Sequence, residues 1–386
     1  MRQSKPVAAR RSRQQGLTLV ELMVALTVGL ILVGAVIAVF IANSGLYSTN
    51  KAVAQIQENG RFALSFLDKD VRMAGYMGCA NDTQVNSILN APANNYIYDF
   101  SQGLTGYEAT GTETGTYVLP TLLNVATPNS FNANADPNAP LLSSSEVPFS
   151  TPPSPPTGEP LQGSDMLVIR YATSAPANVI QVPAQSSADF HVSNLPAFIQ
   201  AGQIAVITDC VKATVFQITN VQAGPAIVHN AGNVVSPGNF TDILGPLYGP
   251  GAVMVVPDVM VYYIGEGVNG QPALFKADLN TINAPGALVL QREELVPDAV
   301  NMQILYGVDT NNSQTANTYV TADQVQNWND VVSVSIALLM ESSVGEVPIP
   351  PTAPTFDMLG LTVQAPRDTR LRRLFTTTIG LRNRLP

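Results

Sequence analysis

Imidazoles and thiols are scarce in this chain. Two histidines, His191 and His229, stand in unlike surroundings, and two cysteines, Cys79 and Cys210, lie far apart. No HExxH or CxxC spacing occurs, so neither a zinc site nor a nucleophile–histidine–acid constellation is supported. Gly265-Glu266-Gly267-Val268-Asn269-Gly270 has the spacing GxGxxG. Gln271-Pro272 and a strand-like run follow it, where a dinucleotide site needs a helix. Those glycines fit a hairpin turn after Tyr262-Tyr263. Asp309, Asn311 and Ser313 alternate oxygen-bearing side chains, a pattern that can hold calcium, but the glycine and closing glutamate of an EF-hand loop are missing. The competing reading is an Asx-rich turn. Arg370, Arg372 and Arg373 either meet an acidic partner or flank a terminal strand. Nothing here composes an enzyme, and no cofactor is implied.

Glu21 is different because of where it stands. It opens an apolar run, residues 22–42, of 21 residues without a charge. As a helix this run is ~31 Å long, the hydrocarbon thickness of a bilayer. Arg2, Lys5, Arg10, Arg11 and Arg13 precede it without an anion, which places the N-terminus in the cytoplasm and the rest across the membrane. A cleaved secretory signal would have a shorter apolar region, although Ala42-Asn43-Ser44 passes for its cut site. A plain anchor fits the length. An ionisable group at the membrane is costly and points to function, while a carboxylate in a first helical turn is also favoured by the macrodipole.

The surroundings of Glu21 decide among these readings. Gln15-Gly16-Leu17-Thr18-Leu19-Val20-Glu21-Leu22 closely resembles the type IV prepilin motif, with a short basic leader before it. The resemblance implies that a membrane peptidase cuts between Gly16 and Leu17 and methylates the new amine of Leu17. Leu stands where most of that family has Phe. Glu21 becomes the fifth residue. A buried carboxylate needs a partner, and a staggered neighbour's terminal amine supplies one.

Length and composition rule out a coiled coil, a charged disordered protein, a collagen and a disulfide-dense mini-domain, and argue against a polytopic membrane protein. The chain has 386 residues, a mass of 40.9 kDa and only 12% charged residues, with 28 Gly and 29 Pro. Residues 17–366 hold 8 cations against 27 anions, a net charge of −19, which argues against nucleic-acid binding. No proline occurs between Pro6 and Pro92, so helix can continue past the membrane. Val53, Ile56, Gly60, Ala63, Leu67, Val71 and Ala74 step by three and four along one face. Asp68 and Arg72 pair at i, i+4 on the other. One helix over 17–75 is expected, with Gly29, Gly34 and Gly45 as bend points.

Residues 76–164 read as polar and loop-rich, with an extended Pro-rich piece within about 125–162. Strand signals follow at Asp165–Ala172, Ile204–Asp209, Ala213–Thr219, Met254–Ile264, Met302–Val308, Val331–Met340 and Leu374–Leu381. Thr321-Ala322-Asp323-Gln324 resembles a capping box that would start a short helix with Val325 and Trp328 facing in. The expected fold class is α+β: a long pilin-like N-terminal helix packed on a mainly antiparallel β head over 76–386. In an oxidising compartment Cys79 and Cys210 are a disulfide candidate, closing a loop of roughly 130 residues for ~4–5 kcal/mol. The alternative is two buried thiols that never meet.

Further pieces resemble the PilW family of type IV pilus assembly. They are Met73–Cys79, Gly163-Ser164-Asp165 with Ile169-Arg170-Tyr171, Thr208-Asp209-Cys210, Leu305–Thr310, Trp328 before Val331–Val334, and Arg372–Thr378 through Arg384. The resemblance implies a minor pilin in the inner membrane with its head in the periplasm. It implies a prepilin peptidase, other minor pilins, the major pilin and a large tip-associated protein as partners in priming or capping the fibre. A minor pseudopilin of type II secretion and a membrane-tethered adhesin or binding protein are the rival readings.

Overall fold

The computed structural model describes residues 18–78, 84–90, 98–112, 115–120, 160–172, 175–181, 187–233, 236–245, 248–282, 288–342, 345 and 347–384. Gly16, Leu17 and Cys79, and nearly all of the expected Pro-rich loop, lie outside these residues. The chain divides into two compact units, Met1–Lys51 and Ala52–Pro386.

One α-helix, α1, runs Leu19–Met73. It continues through Gly29, Gly34 and Gly45, so none of these glycines interrupts it. In its first part the side chains are apolar and exposed, with Leu30 and Ile31 both 71% accessible. From Ile56 onward the expected face is buried, with Ile56, Gly60, Ala63, Leu67 and Val71 and with Asp70 among them; at its start Ala52 is buried instead, and the expected Val53 is only half-buried. Asp68 and Arg72 pair at 2.8 Å on the exposed side. The helix stops because Gly75 adopts φ +78°, a left-handed turn cheap only for glycine. A side chain on the facing Gly103 would lie 2.3 Å from the Gly75 Cα, so this approach requires glycine at 103.

The head is built of sheets. A five-stranded antiparallel sheet runs, in spatial order, Leu288–Pro297, Pro272–Ile282, Pro257–Glu266, Met166–Ala172 and Leu104–Tyr107. A four-stranded antiparallel sheet follows as Thr318–Val320, Ala299–Val308, Val331–Glu341 and Arg372–Gly380. The buried stripe of α1 shares one core with Leu167, Ile169 and Tyr262 of the first sheet and Met302, Ile304, Val334 and Ile336 of the second. The other face of the first sheet, with Val168, Val259 and Val261, meets Val206, Val215 and Val255 of an eight-stranded sheet. That sheet holds a further core of its own around Phe190, Phe216, Ile227 and Tyr248. A small sheet of Thr355–Met358, Leu361–Gln364 and Gly115–Val118 covers the outer face of Val331–Glu341.

Several expectations are refined. Val331–Glu341 is buried on both faces, because Ala337 and Leu339 pack under the small sheet. The run 254–264 divides into Val253–Val255, in the eight-stranded sheet, and Pro257–Glu266, in the five-stranded one. Pro257 has no N–H to carry a ladder through. Thr321 begins only a three-residue 3-10 turn, Ala322–Gln324, and makes no side-chain cap; its hydroxyl goes to Asp323 Oδ1 at 2.5 Å instead. Trp328 is buried and Val325 packs against the core, as their spacing suggested. Gly265–Gly270 leads into a hairpin turn, with Gly267 N–H donating to Gln271 O at 2.7 Å.

Candidate functional site

The site begins at the first turn of α1. Thr18 N–H and Thr18 Oγ1 both donate to Glu21 Oε2, at 3.0 and 2.9 Å. Glu21 N–H donates back to Thr18 Oγ1 at 3.3 Å. This is a reciprocal capping box, and it satisfies two of the helix's otherwise orphaned N–H groups. Such satisfaction matters most in hydrocarbon, where no water can substitute. The Thr27, Ser48 and Thr49 hydroxyls likewise return to backbone carbonyls of the preceding turn. The most apolar 18-residue window of α1 has a mean hydropathy of 2.9 and none of it is buried, which makes α1 long and apolar enough to cross a membrane. Only one Glu21 oxygen receives the Thr18 donors, so the carboxylate keeps acceptor capacity for an external cation.

In the head unit, Asp70 faces inward from α1. Tyr171 OH donates to Asp70 Oδ1 at 2.7 Å, and Tyr262 OH donates to Asp70 Oδ2. Burial, reinforced by the adjoining carboxylate, pushes both phenols well above the ordinary tyrosine range, so they remain donors. The helix is therefore tied to two neighbouring strands of the five-stranded sheet by one carboxylate. At its C-terminal end, Asn383 Nδ2 donates to the carbonyls of Met73 and Ala74, at 3.3 and 3.1 Å. Arg384 donates to the carbonyls of Trp328 and Val331.

Arg370 and Arg372 of the arginine cluster turn inward, while Arg373 is exposed and lies over the Phe375 ring. Arg370 and Arg372 pair with the buried Glu341 at 2.5 and 2.9 Å, and Arg372 also pairs with Asp368 at 2.6 Å. It thus flanks and fixes the terminal strand Arg372–Gly380. At the calcium candidate, Asp309 accepts N–H bonds from Asn311, Ser313 and Gln314, and Asn311 Oδ1 accepts another from Ser313. The side chains close an Asx-type loop upon themselves. Among the described residues no three His, Cys, Asp or Glu side chains are grouped to hold a metal. Cys210 sits at φ +72° just after Ile204–Thr208.

Thr18 and Asp70 are the participants that residue-by-residue reading did not single out. For Thr18 the signal was present as Thr-x-x-Glu ahead of an apolar run. Asp70 carried only a weak one, an acid on the apolar face.

Residues 11–37 match the family model described as the prokaryotic N-terminal methylation motif. Residues 261–383 match the one described as Type IV Pilus-assembly protein W. No curated protein and no solved structure matches this chain.

Proposed function

We propose that this chain, a type IV pilin-like protein of the PilW family, is a minor pilin that primes or caps a type IV pilus. In this reading the prepilin peptidase removes residues 1–16 and methylates Leu17. The apolar part of α1, about 22–42, holds the protein in the inner membrane with the head, residues 76–386, in the periplasm. It assembles there with other minor pilins, the major pilin and a large tip-associated protein. The role is structural, as in the pilus-assembly family it belongs to.

The observation that carries this reading is Glu21 at the head of an unburied apolar helix, directly after a peptidase-type Gly16-Leu17 junction. The Thr18 cap pre-orients its carboxylate. The new amine of a neighbouring subunit, drawn to that carboxylate, would form a charge-assisted pair that water cannot screen. An unpaired Glu21 in lipid is the costlier state, and this biases the subunit towards assembly. Large size suits a scarce subunit, since the bulky head would crowd a fibre made of this chain alone.

The test is Glu21→Ala. Membrane insertion should be unchanged, because α1 keeps its apolar length, while the number of pili per cell falls severalfold. Wild-type piliation in that variant would contradict the reading, and would leave a tethered adhesin or binding protein. If instead pili are normal and protein secretion fails, the chain is a pseudopilin of type II secretion.

A further inference from the structure

A cavity of about 260 Å³ opens in the head between the hairpin turn at Leu359–Gly360, the turn at Thr321–Gln324, and the acidic residues Glu108 and Asp165. It is remote in sequence from everything in the assembly site. We propose that it is a binding site for a primary alkylammonium group, either a lysine side chain of a partner subunit or a free diamine.

The polar groups are arranged to receive a cation. Asp165 is buried, and each of its oxygens takes a backbone N–H: Ala109 at 3.0 Å and Ile304 at 2.8 Å. These two bonds hold it rigid. Glu108 is 1% exposed and lies beside it. Thr112 has one hydroxyl hydrogen, committed to Ala109 O at 2.7 Å. Its 3.2 Å contact with Glu108 Oε1 is therefore best satisfied by a proton on Glu108. Among the described residues Glu108 Oε2 then has no hydrogen-bond partner, and neither has the fully buried Tyr306 OH nearby. An orphaned buried polar atom lining a cavity is costly, and such sites are normally completed by something. Burial first, then Asp165 and Asp323, push the Glu108 carboxyl up to about 9.

The donor set favours an ammonium over a bare metal ion. No metal-sized grouping of three ligands exists among the described residues, and both Asp165 oxygens are already engaged. What remains is one bare carboxyl oxygen with hydroxyl and amide groups, which matches the three N–H donors of a primary ammonium. Among the described residues no Lys or Arg lines the cavity. An arriving ammonium favours the carboxylate form of Glu108, whose proton leaves to solvent, so binding is linked to proton release. The other groups facing Glu108 are Asp165, Asp323 and Tyr306, and Tyr107 adjoins Tyr306.

Calorimetry on the full chain in detergent micelles tests this, at pH 7.5 in two buffers of different ionisation enthalpy. The probes are 1,4-diaminobutane and Nα-acetyl-lysine methylamide. Saturable binding of at least one probe is expected, with up to one proton released per amine bound. Glu108→Gln should weaken binding at least tenfold and abolish proton release. Gln324→Lys, on the exposed rim, should place an ammonium in the cavity and block both probes. A diamine binding more than tenfold tighter than the lysine probe identifies a free diamine as the occupant; comparable binding identifies a partner lysine. No saturable binding of either probe, or unchanged binding in both variants, would overturn the proposal.

Discussion

Asp70 accepts from two tyrosines that lie 101 and 192 positions away in sequence. Asp70→Ala leaves two buried hydroxyls unpaired, and should cost the head on the order of 2–4 kcal/mol. Chemical denaturation of the full chain in micelles would measure this, and adding Tyr171→Phe and Tyr262→Phe should recover part of the loss. His229 gives a pH prediction. It is fully buried between Phe190 and Phe216, and among the described residues neither ring nitrogen has a partner. Burial lowers it to about 4, against weaker opposing effects of Asp242 and Asp189. Its folded-state pKa is depressed, so the unfolded chain takes up a proton first as pH falls from 6.5 to 4. Stability should fall by about 3 kcal/mol over that window. In His229→Phe that part of the acid sensitivity should vanish; an unchanged pH profile would refute the assignment. Glu108 has the opposite sign. Its folded-state pKa is raised, so stability is lost as pH rises from 4.5 to 9, and Glu108→Gln should stabilise the head at pH 7. The Thr18–Glu21 cap was legible in the sequence because both partners lie within one helical turn. The Asp70 clamp was not, since nothing local marks which acid on an apolar face will meet distant hydroxyls.

At the scale of elements, the long helix was readable because an uninterrupted 3.6-residue period leaves few alternatives. The strands with six or more apolar, β-branched residues were readable for a similar reason. Gln84–Ser87, Leu104–Tyr107 and Gly115–Val118 were hidden in what read as loop, because four residues are too few for alternation to show. The parallel pairing of Gln84–Ser87 with Lys212–Gln217 was equally hidden. Gly78 approaches Thr208, its Cβ direction ending 3.7 Å from Thr208 Cγ2. That supports, as a proposal, a Cys79–Cys210 bridge tying the segment after α1 to the eight-stranded sheet. Cys79→Ser with Cys210→Ser should then lower stability by ~4 kcal/mol, read as a fall in Tm. Free thiols titrated in the unreduced wild-type protein would contradict the bridge. Gly60 lies under Phe375, where an added Cβ would come within 2.6 Å of the ring. Gly60→Ala should destabilise the packing of α1 on the head, although alanine favours helix by ~1 kcal/mol. With Phe375→Leu in the background the sign should reverse.

For the molecule as a whole, the two family matches fall on its two ends, residues 11–37 and 261–383. The second spans the four-stranded sheet with its terminal strand, and Leu288–Pro297, Pro272–Ile282 and part of Pro257–Glu266 in the five-stranded sheet. The eight-stranded sheet, between Gln84 and Val255, falls outside both. Composition alone could place an acidic, weakly charged head behind a membrane helix, but it could not assign that sheet a role, because its core is ordinary in residue type. The account stands on the start of the mature chain. Intact-mass and N-terminal peptide mass spectrometry of protein from native membranes should find a chain beginning at Leu17 with a methylated amine. A chain still beginning at Met1, or one cut near Ser44, would contradict it.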